Sequence, residues 1–269
     1  VSVNVYAGRI TDWDSMKIVI NTKFGKGLDG EPDPGVVREV STDYALPRKF
    51  FEMCPRKDSV KLLNLKSLAS RMGLGSVFAI DESRRLGLGS FKALGAVYVM
   101  AKMALGENLN NSKIDLVSRA KDKLAGVTFA TASAGNHGLS VAAGARLFGA
   151  NARIYVSENV PDEFRLKLQD LGAIVTIHGS TYEESQTQAI QDSEINGWTL
   201  ISDSTWPGYD LGLDVMEGYL ISISQGLEKI PMKPTHIFLQ AGVGGVAASF
   251  SAFIRMKLGY VPIIIIVEP

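Results

Sequence analysis

From residue 127 onward the chain keeps a regular rhythm of apolar and polar positions. Residues 127–132 form a short continuous apolar run that suits a buried strand. Small and polar residues fill 133–138, and an alanine-rich stretch suited to a helix follows to Phe148. The unit then returns, with strands predicted at 152–156, 174–177, 199–202, 235–240 and 263–267. Between them come helices from Pro161, at its favoured first helical position, to Gly172, over 182–195, from after Tyr209 to about Gln225, and over 246–258. Strands alternating with helices predict an α/β fold built mainly from parallel sheets. Before residue 127 the pattern is looser. Leucines at 62, 65 and 68 with Met72 predict a helix over 61–72 that stops at Gly73. A strand at 77–80, a polar glycine-rich run at 81–89 and a helix from Ser90 to Gly106 follow, then a turn at 108–113. Residues 1–58 are the least regular and predict an N-terminal arm with one or two short strands or helices. The run 263–267 reads as a buried central strand, after which more chain is expected, so the fold is read as lacking a C-terminal portion.

Composition narrows the function classes. A length of 269 residues suits one large domain or two ordinary ones, and 46% apolar content supports a substantial core. Lys plus Arg and Asp plus Glu both number 28, so net charge gives no support for nucleic acid or an acidic membrane surface. One cysteine, Cys54, rules out a disulfide framework. His137, His178 and His236 lie far apart without ligand spacing, and no metal site is assigned. The longest purely apolar run, 263–267, is far too short to span a bilayer, and a cytoplasmic location is expected.

Three stretches carry candidate chemistry. Ser90 suits an N-cap, which puts Lys92 in the first turn of its helix. The positive field there disfavours an ammonium and favours the neutral amine that a nucleophilic lysine needs. A solvated lysine is the plainer reading of this stretch alone. Ser133-Ala134-Gly135-Asn136-His137-Gly138 and Gly242-Val243-Gly244-Gly245 each leave a strand and enter a helix. Such turns aim free backbone N–H groups at one point, where the helix dipole also favours an anion. Gly242-x-Gly244-x-x-Ala247, with Glu268 ending the next strand, also satisfies a relaxed dinucleotide fingerprint, so an NAD-binding oxidoreductase stays open. That reading leaves Lys92 and the Asn136 loop unexplained. Pyridoxal phosphate uses all three: a lysine to bond its aldehyde carbon, a phosphate cradle, a donor near its ring hydroxyl, and a second anion site for the substrate carboxylate.

Together Ser90-Phe91-Lys92, Ser133-Ala134-Gly135-Asn136-His137 and Gly242-Val243-Gly244-Gly245 resemble the tryptophan-synthase-β-like, or fold type II, family of pyridoxal phosphate enzymes. Asp81-Glu82-Ser83-Arg84-Arg85, Asp203 with Trp206-Pro207-Gly208-Tyr209, and Leu239-Gln240-Ala241 extend the likeness toward its diaminopropionate ammonia-lyase branch, over roughly residues 60–269. The resemblance implies two parallel-sheet α/β domains. Residues 59–126 with 226–269 would form a large, phosphate-binding domain, incomplete at its C-terminal end, and 127–225 a small one, after an arm at 1–58. It implies that Lys92 holds the cofactor, Asn136 contacts its ring hydroxyl, and Gly242, Val243, Gly244 and Gly245 hold its phosphate. Ser133, Ala134, Gly135, Asn136 and His137 would bind the substrate carboxylate, and Asp203 would be a base or a partner for the β-amino group. The expected reaction is α,β-elimination from 2,3-diaminopropionate, with a serine or threonine dehydratase as the alternative and a non-catalytic binding fragment as a rival of another class. A homodimer is expected by analogy. Ala134 departs from the ammonia-lyase branch, which has an aspartate there associated with the D-isomer; Ser-Ala-Gly-Asn-His is similar to the dehydratases instead.

Overall fold

The computed structural model describes residues 19–20, 38–58, 60–106, 116–260 and 262–268. The expected turn at 108–113 and most of the expected arm lie outside the described residues. Within 35–269, a compact unit, the elements are α1 (Ala45–Met53), β1 (Lys61–Asn64), α2 (Lys66–Arg71), β2 (Phe78–Asp81), α3 (Lys92–Leu105), α4 (Leu116–Leu124), β3 (Thr128–Ala132), α5 (Asn136–Phe148), β4 (Asn151–Val156), α6 (Asp162–Asp170), β5 (Ile174–Ile177), α7 (Tyr182–Asn196), β6 (Thr199–Leu200), α8 (Leu211–Lys229), β7 (His236–Gln240), α9 (Gly245–Leu258) and β8 (Ile263–Val267).

A four-stranded parallel sheet has the order β5-β4-β3-β6. Its register pairs Phe129 with Ala152 on one side and with Thr199 on the other. The chain builds outward from β3 to β4 and β5, then returns to the far edge of β3 as β6. That reversal leaves a crevice at the carboxyl ends of β3 and β6, the place where open α/β sheets bind ligands. A second parallel pair joins β7 to β8, with His236 opposite Ile263. β8 differs from the expected central strand: Ile263, Ile266 and Val267 are exposed, and among the described residues its partner is β7. A parallel strand becomes buried only when both its faces and edges are covered.

The predicted helix over 61–72 is corrected. Its first half is β1, which pairs antiparallel with β2, Lys61 opposite Asp81, and only Lys66–Arg71 is helical. The leucine spacing suits either period over so short a run, and the neighbouring strand decides it. Pro161 caps α6 rather than opening it, and α5 begins at Asn136, inside the expected loop.

α8 is buried almost all round, so it is a central helix rather than a surface one. It crosses α3 at two glycines. A Cβ at Gly95 would lie 2.6 Å from Val215 Cγ1, and one at Gly218 would lie 2.9 Å from the Leu94 carbonyl oxygen. Buried charges stitch the same crossing. Lys102 Nζ lies 3.2 Å from Asp214 Oδ1 and 3.1 Å from Glu217 Oε2, the Tyr98 hydroxyl donates to Glu217 at 2.8 Å, and Arg38 reaches Asp214 at 2.7 Å. α3, which carries Lys92, is thereby fixed against the core of Phe129, Phe148, Ile154, Leu220 and Ile254.

Candidate active site

Lys92 is placed by its own helix start. The N-cap position of α3 is Phe91 rather than the expected Ser90, but Ser90 Oγ, one residue earlier, accepts the Lys92 backbone N–H at 3.2 Å. Its Nζ donates to Asp203 Oδ2 at 2.6 Å. The side chain of Lys92 is 30% exposed and that of Asp203 only 9%. This carboxylate gives the ammonium a buried partner beyond the field of the helix terminus.

Asp203 sits in the crevice between β3 and β6. Tyr209 holds its loop closed: the hydroxyl accepts from Ser202 N at 2.7 Å and donates to the Leu200 carbonyl at 3.0 Å. Trp206 stacks on Tyr209 with ring centroids 4.1 Å apart. Burial works to raise the Asp203 pKa, but the charges of His137 and Lys92 and the Lys92 hydrogen bond outweigh it and hold the carboxyl below its usual range.

The 133–138 loop leaves β3 on the other side of this crevice. Ser133 Oγ accepts from Gly135 N at 3.3 Å. The loop is so tight that a Cβ at Gly138 would lie 1.9 Å from the Ser133 carbonyl oxygen. α5 starts at Asn136, so the N–H groups of Asn136, His137 and Gly138 have no acceptor within the helix. Asn136 is exposed, and Ser133 and Ala134 are half-buried. The His137 imidazole turns inward instead: it is 2% exposed, with Nε2 2.8 Å from the Ile201 carbonyl oxygen. That bond ties the first turn of α5 to the segment carrying Asp203. Burial pushes the imidazole below its ordinary pKa, against the pull of Asp203. What His137 can offer an anion is its backbone N–H. The Ser140 hydroxyl donates to the Ala93 carbonyl at 3.3 Å and joins α5 to the Lys92 turn.

The 242–245 turn closes the third side. A Cβ at Gly245 would lie 3.5 Å from the Asp203 carbonyl oxygen, so the turn abuts the same loop. Gly244 has φ +85°, a left-handed conformation that favours glycine. α9 begins at Gly245, leaving its first N–H groups free of helical acceptors. A Cβ at Gly242 or Gly244 would meet nothing within 4 Å, so this backbone opens onto free space, as a phosphate cradle must. Lys92, Asp203 and the two N–H-rich turns are thus brought together, and the residues present fit an anionic aldehyde cofactor beside an amine.

Comparison with known proteins agrees. The family model described as pyridoxal-phosphate dependent enzyme matches residues 59–269. This chain belongs to the pyridoxal-phosphate dependent enzymes. Its cofactor is pyridoxal 5'-phosphate, and its parallel-sheet α/β architecture is that of the fold type II enzymes. It is 32% identical to the diaminopropionate ammonia-lyase of Salmonella typhimurium over 232 residues, covering 82% of this chain and 57% of that one. The apo crystal structure of the Escherichia coli diaminopropionate ammonia-lyase superposes with a TM-score of 0.79 at 28% identity, over 87% of this chain and 66% of the other. The biosynthetic L-threonine dehydratase of Pasteurella multocida is 27% identical over 76% of this chain and 34% of its own length. The chain therefore spans less than two thirds of the length of these relatives.

Sequence reasoning missed one supporting residue. Arg85, read only as part of a family stretch, is 2% exposed. It donates from Nε to Glu82 Oε2 at 2.6 Å, from Nη2 to Glu82 Oε1 at 2.8 Å, and from Nη1 to Asp58 Oδ1 at 3.2 Å and Gln225 Oε1 at 3.1 Å. This anchors the turn into α3, where Leu86 has φ +49°, the one positive φ on a non-glycine among the described residues. Its signal was faint: an Arg-Arg pair just after two acids, of which only the second arginine is buried.

Proposed function

We propose that this chain is the catalytic core of an amino acid ammonia-lyase that eliminates the β-amino group of L-2,3-diaminopropionate, yielding pyruvate and two ammonia molecules with consumption of one water. The observation that carries the reading is the 2.6 Å Lys92–Asp203 pair enclosed by two N–H-rich turns. When bound, pyridoxal phosphate supplies an electron sink for the charge that develops at Cα. Lys92 would hold the cofactor, and Lys92 and Asp203 are the two groups placed to move the Cα proton. The turn of Gly242, Val243, Gly244 and Gly245 would hold the phosphate, and Ser133, Ala134, Gly135, Asn136 and His137 would bind the substrate carboxylate. Asn136, exposed at the start of α5, would contact the ring hydroxyl. Ala134 leaves the carboxylate loop without an acid, which favours the L-isomer. The β7–β8 region belongs with residues 59–126 as the phosphate-binding domain, residues 127–225 form the small domain, and the protein works as a homodimer in the cytoplasm.

A dehydratase is the second reading, supported by the threonine dehydratase relatives and by Ser-Ala-Gly-Asn-His. Reconstitution with pyridoxal phosphate, followed by ammonia-release assays on L- and D-2,3-diaminopropionate, L-serine and L-threonine, separates the two. The expected result is a visible band that Lys92→Ala abolishes, and turnover of L-2,3-diaminopropionate above the others. Preference for L-serine or L-threonine transfers the chain to the dehydratases. A band without turnover of any substrate makes it a binding fragment.

A further inference from the structure

Among the described residues, two buried side-chain polar atoms have no hydrogen-bond partner: His137 Nδ1 and the Tyr219 hydroxyl. The imidazole has its other nitrogen satisfied at the Ile201 carbonyl oxygen. The phenol has a single polar atom and nothing for it to bond. Tyr219 lies on α8 and is 2% exposed. Burial, and after it the charge of Asp203, holds its pKa well above the ordinary phenol value, so the hydroxyl keeps its proton and is a donor. A buried donor left unused costs free energy, and each such group calls for an explanation.

The contacts of the ring place the hydroxyl end at the Lys92 turn. Phe91, the residue before Lys92, meets the ring edge-on with centroids 5.0 Å apart. A Cβ at Gly95, three residues after Lys92 on α3, would lie 2.7 Å from Tyr219 Cε1, a ring carbon adjacent to the one that bears the hydroxyl. Met216, three residues earlier and on the same side of α8, would lie 3.5 Å from a Cβ at Gly245, the last residue of the 242–245 turn. One side of α8 thus supports the Lys92 turn with Tyr219 and the 242–245 turn with Met216. Neighbouring buried hydroxyls are used: Tyr98 donates to Glu217 at 2.8 Å and Ser140 to the Ala93 carbonyl at 3.3 Å.

We propose that the Tyr219 hydroxyl is kept for the cofactor: it donates to an acceptor atom of bound pyridoxal phosphate and has no partner until that cofactor arrives. Pyridoxal phosphate brings acceptors to this place, anionic phosphate oxygens among them, and a donor that meets a charged acceptor makes one of the stronger hydrogen bonds. The two N–H-rich turns offer donors from the backbone. Tyr219 adds one from a side chain confined by Phe91 and Gly95. Its cost in the empty protein is relieved on binding, so the hydroxyl adds to cofactor affinity without adding to the stability of the cofactor-free fold. Tyr219 is a binding residue, and no proton transfer is assigned to it.

This inference rests on the cofactor and not on which amino acid is turned over. Tyr219→Phe removes the hydroxyl and keeps the ring. Two quantities are compared with the wild type: the urea midpoint of the cofactor-free protein, and the Kd for pyridoxal phosphate read from the visible band and from quenching of tryptophan emission. The cofactor-free midpoint should be unchanged or higher, because an unsatisfied group has been removed. The Kd should weaken about tenfold or more, as expected for one lost hydrogen bond to a charged acceptor. Tyr98→Phe is the control with the opposite pattern, a lower midpoint because its hydroxyl serves Glu217, and an unchanged Kd. A lower cofactor-free midpoint in Tyr219→Phe, or its failure to fold, means the hydroxyl already has a partner and overturns the proposal. An unchanged Kd beside a wild type that binds overturns this inference alone. A wild type that takes up no pyridoxal phosphate defeats the reading of the site itself, and this inference with it.

Discussion

Gly138→Ala tests how tightly the carboxylate loop is built. Gly138 is the third residue of α5 and has an ordinary negative φ. Helix propensity alone favours alanine there by about 0.5–1 kcal/mol. The tertiary structure reverses that sign. The new Cβ would lie 1.9 Å from the Ser133 carbonyl oxygen and 3.0 Å from its carbon, and these are backbone atoms with no rotamer to escape through. Relief requires the loop to open by more than about 1 Å, and overpacking of this kind costs about 1–3 kcal/mol or more. The net expectation is a loss of about 1–2 kcal/mol, read as a lower urea midpoint at unchanged slope. Gly144→Ala is the control. Its Cβ would meet Met100 Sδ at 2.8 Å, the end of a flexible side chain, so its net change should stay within about 1 kcal/mol. Because opening the loop also splays the N–H groups of Asn136, His137 and Gly138, Gly138→Ala should weaken substrate binding before it alters the visible band. A Gly138→Ala protein as stable as the wild type, or more so, refutes the claim that the loop is closed on Ser133.

Other outcomes follow from the same geometry. Arg85→Met should lower stability by about 3 kcal/mol by thermal or urea unfolding, since it strands Glu82 and Asp58 beside a buried site, and Arg85→Lys should not restore it because one ammonium cannot serve three partners. Tyr209→Phe should cost about 1–3 kcal/mol through the hydrogen bonds lost at Ser202 N and Leu200 O, with Asp203 loosened and turnover reduced. Asp203 has a depressed pKa, so its contribution is full above the unfolded value of about 3.9 and is lost as pH falls through the lower folded value. Asp203→Asn should therefore flatten the acid limb of the stability profile below about pH 4, and a limb of unchanged steepness would remove Asp203 from that account.

Local chemistry made much of the site legible. Ser90, Lys92 and the glycine-bearing turns announce themselves because caps and anion-binding turns demand particular residues at fixed offsets, and that demand is met within a few neighbours. The parallel α/β rhythm from β3 onward was legible for the same reason, since buried strands and the helices between them impose different periods. The segment 61–72 was not, because four residues fit either period and β2 decides between them.

By itself, then, the sequence determined the cofactor class, the order of the three site elements and most of the secondary structure. The tertiary structure decided the rest. It turned the His137 ring away from the anion site toward Ile201, buried Arg85 rather than Arg84, and set Asp203 against Lys92 across 111 positions of chain. The placing of His137 and Asp203 depends on which loops emerge side by side where the strand order reverses between β3 and β6, and that of Arg85 on Glu82, Asp58 and Gln225 meeting around its guanidinium. Distance along the chain carries no record of that neighbourhood, and the energies that fix it, desolvation and pairing of buried charge, exist only once the crevice has closed.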